Sequence, residues 1–592
     1  MNKNNCLVID IETSSEYDIK DSRYIDDAKV KWIGMYSYEQ DAYSEVQITD
    51  ENKEQITKFI SKHRYLISFN GNKFDIPILK NNGFITNEYM GSIDLWEVLS
   101  KDGKNRGALM GYDFRYNSLK EMARVMGLET QKGDIDWRVF GKEHLSPEER
   151  KGIIKYLHAD VAATKEMFDK VYDFWKPLTS FISEKNKRNF SWIKCSAASL
   201  TYKAMCNMTN LEEEYGQGHS ERGIGARVIE PKVDEAWDVF YVDVTSLYPN
   251  IFIMFNLCSD GLGDWKGNEI FKVEGCYDDK NPAPMTKVLT KMLQERLRIK
   301  KEDKKNPLVY AYKILINSFY GISRNPVFHH VFTQNGGADC CRIGQEINKI
   351  MERMLNEKGY DVLAGDTDSC FPKPKEPKTY DDVMRDLQDI VDYINKFAPF
   401  PQPTFKIDIE HKLDYIMFAK DGDKALKKNY AYIYTDKDGK KHVEIKGMPI
   451  IKSTATALGQ FILEKHIKPR MIEDNCGKFE KKWVKGLIAE AIEEDITLLA
   501  QEYKCQPYET YSIIGKRSIW AQVSNGYLNG EGGFIKLIKN KRRGKVGSGK
   551  WIYCTIDEAK GLTIDDVDLT KVMNELQPFI KEKKQMGLMG YD

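Results

Sequence analysis

At 592 residues the chain is too long for one hydrophobic core and should divide into roughly three to five domain-sized pieces. Its 89 basic and 89 acidic residues cancel, so the totals give no global argument for a polyanionic partner. No stretch approaches the ~18 apolar residues of a membrane span, the polar start "MNKNN" runs straight into a strand, and eleven cysteines contain no C-x-x-C. These features argue against a membrane protein, a secreted precursor and a zinc ribbon, and a cytoplasmic location with reduced thiols is expected.

In chain order, the first 175 residues alternate strand-like and helix-like segments: "CLVIDIE", "VKWIGMYSY", a helical pattern over 51–62, "YLISFNG" and "SLKEMARVMGL". That is α/β order. A long helix is predicted from about Ser146 to Trp175, because "SPEE" supplies an N-cap serine, a proline at the first helical position and Glu149 three residues after the cap. On the first strand Asp10 and Glu12 are two residues apart and share a face. A polar strand face explains this equally well. The apolar company of Val8, Ile9 and Ile11 suggests instead a strand buried on both sides, where a carboxylate needs a partner. Asp75 in "SFNGNKFDIPIL" and Asp160, one helical turn after Tyr156 in "YLHAD", supply two more acids. Such a set fits two divalent ions about 3.5–4 Å apart acting on a phosphodiester.

Residues 176–235 read as a helical connector with "GQGHSERGIGA" ahead of the next strand. From "DVFYVDV" the order is strand, helices, strand-turn-strand, strand and hairpin; from about 440 it is mostly helical, with a polar Gly- and Lys-rich segment at 524–550. Asp243 ends an apolar strand, and "YKILINSFYG" sets Lys313, Asn317 and Tyr320 on one helix stripe, which plain packing also produces. "AGDTDSC" flanks Thr367 with Asp366 and Asp368, as an ordinary turn or as a metal site that meets Asp243 if the strands are neighbours. Basic clusters at 291–305 and 536–550 stand against these isolated acids, a pattern that fits a nucleic-acid enzyme using metal ions.

"DIE", "NGNKFD" and "YLHAD", in that order, resemble the three exonuclease motifs of DnaQ-like, RNase H-related proofreading 3′→5′ exonucleases. "DVTSLYP", "KILINSFYG" and "GDTDS" resemble motifs A, B and C of family B DNA polymerases. The resemblance covers residues 1–440 by motif and the remainder by position. It implies a multidomain α/β and α+β fold: an RNase H-like exonuclease domain at 1–175, a helical connector and template-contacting loop at 176–235, and a polymerase right hand. The hand has palm at 236–282 and 325–439, fingers at 283–324, and thumb with tail at 440–592. The implied activity is template-directed extension of a nucleic-acid primer with dNTPs, plus proofreading; the alternative is an exonuclease whose C-terminal region only holds DNA.

The same resemblance implies two Mg²⁺ ions per site, with Mn²⁺ as a substitute. Asp10, Glu12, Asp75 and Asp160 would hold them in the exonuclease, with Tyr156 orienting the water. Asp243 and Asp368 would do so in the palm, with Val244 in the metal set and Asp366 a weaker candidate. Asn70 and Phe74 would contact the frayed single strand. Lys132, in a segment "KGDIDW" similar to one of protein-primed phage polymerases, would assist hydrolysis. Arg296, Lys313 and Lys300 would bind the triphosphate. Tyr248 would exclude a 2′-hydroxyl, in a nucleotide site shared with Ser246 and Leu247. Asn317 and Tyr320 would line the nascent base pair, and Lys428 and Tyr430 would contact the primer terminus.

Some positions depart from the family pattern. In "GIGARVIEP", Gly223 stands for a tyrosine and Ala226 for a second glycine, with Gly223, Gly225 and Arg227 the expected template contacts. Ala364 also stands for a tyrosine, so an unusual primer grip is expected. "GKVGSGKW" mimics a phosphate loop, but Trp551 fills the Ser/Thr position, and a flexible basic thumb loop along the DNA backbone is expected instead. The intervals from Asp243 to Lys313 and from Gly321 to Asp366 leave little room for the large insertions of protein-primed phage polymerases. The chain should therefore extend an ordinary nucleic-acid primer without built-in strand displacement. Because it begins on the exonuclease strand, without the extra domain many cellular relatives carry, a compact, monomeric phage or viral type in the host cytoplasm is expected. Gln585, Leu588 and Met589 in the tail resemble a sliding-clamp peptide.

Overall fold

The computed structural model describes residues 3–581 apart from 18, 20, 88, 115–116, 131–134, 136, 143, 219–223, 423, 453, 507, 513–517, 531–532 and 549–550. Lys132, Gly223, Gln585, Leu588 and Met589 lie outside the described residues. The chain forms two compact units, one of Met1–Ile224, Ser246–Ile343 and Asn395–Thr404, the other of Gly225–Thr245, Gly344–Ile394 and Phe405–Asp592. Among the described residues no helix is long and apolar enough to cross a membrane.

In the first unit, β1 (Cys6–Ser14) carries the buried run Cys6, Leu7, Val8, Ile9 and Ile11, and is accordingly the central strand of five. β2 (Lys29–Ser37) and β3 (Ala42–Gln47) extend the sheet antiparallel on one side. β4 (Tyr65–Ser68) and β5 (Gly91–Asp94) extend it parallel on the other, giving the order β3-β2-β1-β4-β5. The expected long helix is Pro147–Trp175, and its capping box is complete: Ser146 Oγ accepts from the Glu149 N–H, and Glu149 accepts from the Ser146 N–H. Gly34 of β2, paired with Asp10, permits the close approach of this helix. A Cβ there would lie 2.7 Å from both Leu157 Cγ and Val161 Cγ2.

Farther along, β6 (Val228–Ile229) and β7 (Glu235–Val244) belong to the second unit, whereas the isolated hairpin β8 (Leu262–Gly267) and β9 (Lys272–Tyr277) belongs to the first. The first unit also holds the basic helix Pro284–Glu302 and the helix Pro307–Ser323, each with proline in its first turn. β10 (Tyr360–Asp366), β11 (Ser369–Pro374), β12 (Ile407–Asp421), β13 (Lys424–Thr435) and β14 (Lys441–Lys446) complete a seven-stranded antiparallel sheet. Its order is β14-β13-β12-β7-β11-β10-β6.

The C-terminal section departs from expectation. It is helical at Ala457–Ile462, Lys468–Asp474 and Lys481–Glu494, around a core that includes Leu458, Met471 and Ile488. The basic segment, however, is not a loop. β15 (Gln501–Cys505), β16 (Gly533–Asn540), β17 (Val546–Ser548) and β18 (Trp551–Cys554) form an antiparallel sheet in the order β15-β16-β18-β17. Leu537, Ile538 and Val546 are buried by this pairing, which outweighs the loop-like Gly and Lys content. The strand at Trp551 also rules out the strand-loop-helix order of a phosphate loop.

Candidate active sites

The first site is built where strand and helix meet. Asp10 and Glu12 alternate along β1, and the helix resting on Gly34 brings Asp160 to them; one ligand oxygen from each lies within 4.8 Å of the others. Asp160 is 2% exposed. Asp75 opens the helix Asp75–Asn81, and its Oδ1 accepts the Ile11 N–H at 3.2 Å, which ties it to β1 between the two strand acids. Tyr156 sits one turn before Asp160, packed with Phe140. Asn70 has a left-handed φ of 60° and donates its N–H to Asp94 Oδ1 at 2.8 Å. Phe74 stacks on Tyr24 at 5.8 Å.

The second site follows from sheet register. Asp366 pairs with Ser369 across the β10–β11 hairpin, leaving Thr367 and Asp368 as a two-residue turn. Thr367 has φ 54°, costly for a β-branched residue, and is held there by its N–H to Arg227 O at 3.1 Å and its hydroxyl to Asp366 Oδ1 at 2.9 Å. Ser369 in turn lies opposite Asp243, and the Val244 N–H donates to Asp368 O at 2.8 Å. The turn acids and the strand acid therefore share one corner of the sheet.

Electrostatics mark this corner. Burial first, then Asp368, Glu410 and Asp408, push the Asp243 carboxyl up to about 7. Burial also raises Asp368, with the charge of Asp366 adding to it. Lys428, at φ 62°, pairs with Asp366 at 2.8 Å. Tyr430 is 8% exposed, edge-on to Phe371, and burial followed by Asp366 pushes its hydroxyl up to about 12. Ala364 lies buried in the same apolar cluster as Phe371, Phe418 and Tyr430. Gly225 O accepts from Gln345, while Arg227 is committed to Asn348 and Glu352 at 2.6 and 2.5 Å.

The remaining candidates lie in the first unit. Ser246 is left-handed at φ 51° and starts the helix Leu247–Phe255, in which Leu247 is buried and Tyr248 half-buried. On Pro307–Ser323 the expected stripe is present, with Lys313 and Asn317 exposed and Tyr320 half-buried. Lys300 is exposed near the end of Pro284–Glu302. Arg296 on that helix has a buried Nε without a hydrogen-bond partner, and burial lowers its pKa.

Residues 199–513, just over half the chain, match the model of DNA polymerase family B. The chain belongs to DNA polymerase family B. Residues 7–172 match the RNase H superfamily. The chain is similar to DNA polymerase 2 of Aeropyrum pernix, 23% identical over 466 residues covering 70% of this chain and 56% of that one. It is also similar to DNA polymerase 1 of Saccharolobus solfataricus, 27% identical over 299 residues covering 44% and 31%. The chain thus spans about half or less of the length of these relatives. In fold it matches the solved structure of the family B DNA polymerase from Pyrobaculum calidifontis, with a TM-score of 0.50, 15% identity, and coverage of 99% of this chain and 78% of that one.

Three acids near these two sites were not singled out from the sequence. Asp408, opposite Asp243 on β12, accepts from Thr245 Oγ1 at 3.0 Å, and Glu410 follows two residues later. The signal was available: "IDIE" at 407–410 repeats "IDIE" at 9–12. Asp94 is the third; it is 3% exposed and gathers the N–H groups of Asn70, Asn72 and Trp96. An acid between an apolar strand and a helix has the signature of a cap.

Proposed function

We propose that the protein is a template-directed DNA polymerase that extends a nucleic-acid primer with dNTPs and proofreads with a 3′→5′ exonuclease. The observation that carries this reading is the register that sets Ser369 opposite Asp243 and ties Val244 to Asp368. The donors fit hard divalent cations: Asp10, Glu12 and Asp160 bring carboxylate oxygens together, and Asp243 and Asp368 offer carboxylates at one corner of the sheet. Asp243 and Asp368, with Val244 beside them, would hold two Mg²⁺ ions in the palm; Asp10, Glu12 and Asp160, with Asp75 behind them, would hold the exonuclease pair, with Mn²⁺ a substitute. Such ions, when bound, lower the pKa of an attacking hydroxyl or water and neutralise charge developing on phosphate.

The side chains of the protein supply binding and orientation. Arg296 offers a half-buried guanidinium and Lys313 an exposed ammonium to the triphosphate, with Lys300 assisting. Tyr248 faces the sugar, and Asn317 and Tyr320 the nascent pair. Lys428 and Tyr430 grip the primer terminus, with Asp366 positioned through Lys428. In the exonuclease, Tyr156 orients the water beside Asp160, while Asn70 and Phe74 hold the frayed strand. Arg227 supports the template loop through Glu352 rather than by reaching out alone. Primer-template DNA is the partner, and the enzyme is a monomeric, cytoplasmic protein of compact phage or viral type.

The test is a labelled primer-template with Mg²⁺, with and without dNTPs. Lengthening with dNTPs and shortening without them is expected. Shortening under both conditions would establish the alternative, an exonuclease with a DNA-holding C-terminal region. An unchanged primer under both would overturn each reading.

A further inference from the structure

Behind the nucleotide-site tyrosines lies a thiol to which neither the motifs nor the proposed chemistry gives a task. Tyr248 and Tyr320 stack with ring centroids 4.9 Å apart and planes at 30°. Cys341 Sγ lies 3.1 Å from the Tyr320 hydroxyl and 4.0 Å from the Tyr248 hydroxyl. Arg324 Nη1 donates to the same Tyr320 oxygen at 3.2 Å, which leaves the Tyr320 O–H free to donate to sulfur. Cys341 is 2% exposed, and its neighbour Cys340 is fully buried, so the sulfur is a packed element of the protein rather than a reactive surface thiol. Burial raises both tyrosine hydroxyls, Tyr320 to about 12, so both keep their protons at neutral pH.

We propose that Cys341 is a positioning residue for sugar selection: its sulfur caps both tyrosine hydroxyls and fixes the ring of Tyr248 at the edge of the nucleotide site. This rests on the polymerase reading and on Tyr248 facing the incoming sugar. A ring that rejects one extra oxygen must be held to within a fraction of an ångström, and Tyr248 follows a left-handed Ser246 in the first turn of its helix. The Tyr320 ring supports one face of Tyr248 and the Cys341 sulfur limits its far end; Arg324 prevents Tyr320 from turning away. Removing the sulfur leaves a void exactly one atom deep behind the gate, into which Tyr248 can retreat.

The experiment measures single-turnover kcat/KM for dATP and ATP opposite the same template thymine, with the full chain and Mg²⁺, in wild type, Cys341→Ala, Cys341→Ser, Tyr320→Phe and the Cys341→Ala/Tyr320→Phe double variant. Cys341→Ala is expected to raise the ATP-to-dATP ratio about tenfold, as expected for a one-group change in a pocket wall. Cys341→Ser, which keeps a small polar partner, should stay within about threefold of wild type. The double variant should match the larger single effect, because both changes break the same contact. Tyr248→Ala serves as the reference for an open gate. A merely structural cysteine would lower both nucleotides together; an unchanged ratio in a folded Cys341→Ala, or additive single effects, would overturn the inference. If wild type fails to extend primers the polymerase reading itself falls, and if Tyr248→Ala leaves the ratio unchanged the gate assignment falls; either result removes the basis of the inference.

Discussion

The two carboxylate sites are assembled by opposite means. The acids of the first site come from a strand and a helix, and side-chain packing at Gly34 brings their oxygens within 4.8 Å of one another. The acids of the second site come from adjacent strands, and backbone register places them: Asp243 opposite Ser369, and Asp368 in the turn just before it. Packing is sensitive to a single methyl group, whereas register is set by backbone pairing and the geometry of the turn. The first site should therefore be the easier to damage from outside, and the second the more sensitive to charge.

The largest expected effect separates the sites outright. Asp368→Ala should reduce primer extension by about 10³-fold or more and spare degradation, and Asp10→Ala should do the reverse, read on one labelled primer-template. Loss of both activities from either folded variant would break the division. Next comes Gly34→Ala, whose added methyl meets Leu157 and Val161. Exonuclease activity should fall about 10- to 100-fold while extension persists, because a misplacement of about 1 Å suffices. Equal activity in Gly34→Ala would show that the helix is not seated by packing.

Charge provides the next comparison. The folded-state value of Asp243, about 7, exceeds its ordinary value of 3.8, so the folded chain binds that proton more tightly than the unfolded chain. Its contribution to the stability of metal-free protein is thus complete below pH 3.8 and is lost as pH rises towards 7. Asp243→Asn should remove that loss and stabilise metal-free protein at pH 8 by roughly 1–3 kcal/mol in urea unfolding. No gain would mean that the carboxylate is better solvated than its neighbours suggest. For the same reason Mn²⁺ binding to the palm should weaken as pH drops below 7, since the ion must displace the proton. The smallest effect tests the scaffold alone. Ser146→Ala should cost about 1 kcal/mol of stability by removing the cap, with both activities intact at low temperature.

Much of this was legible because the motifs depend on local spacing. The alternation in "CLVIDIET" predicts a strand with two acids on one face, and "SPEE" predicts the start of the helix that carries Asp160; both elements form as read. The β10–β11 turn was equally visible in "GDTDS". The C-terminal sheet was not: its strands are short, basic and interrupted by glycine, and only partner strands distant in sequence make Leu537 and Val546 apolar positions of a core.

The sequence by itself determined the chemistry on offer: which acids, basic residues and tyrosines occur, in what order, and on which local elements, because those follow from turn residues and from periods of 2 and 3.6. Only the tertiary structure decided which of them act on one another. Gly34 sets the distance of a helix, Lys428 pairs with Asp366, burial together with Asp368, Glu410 and Asp408 raises Asp243, and Cys341 stands behind two tyrosines. These relations join residues from about 20 to more than 160 positions apart, and no local rule of propensity or spacing reaches across such intervals.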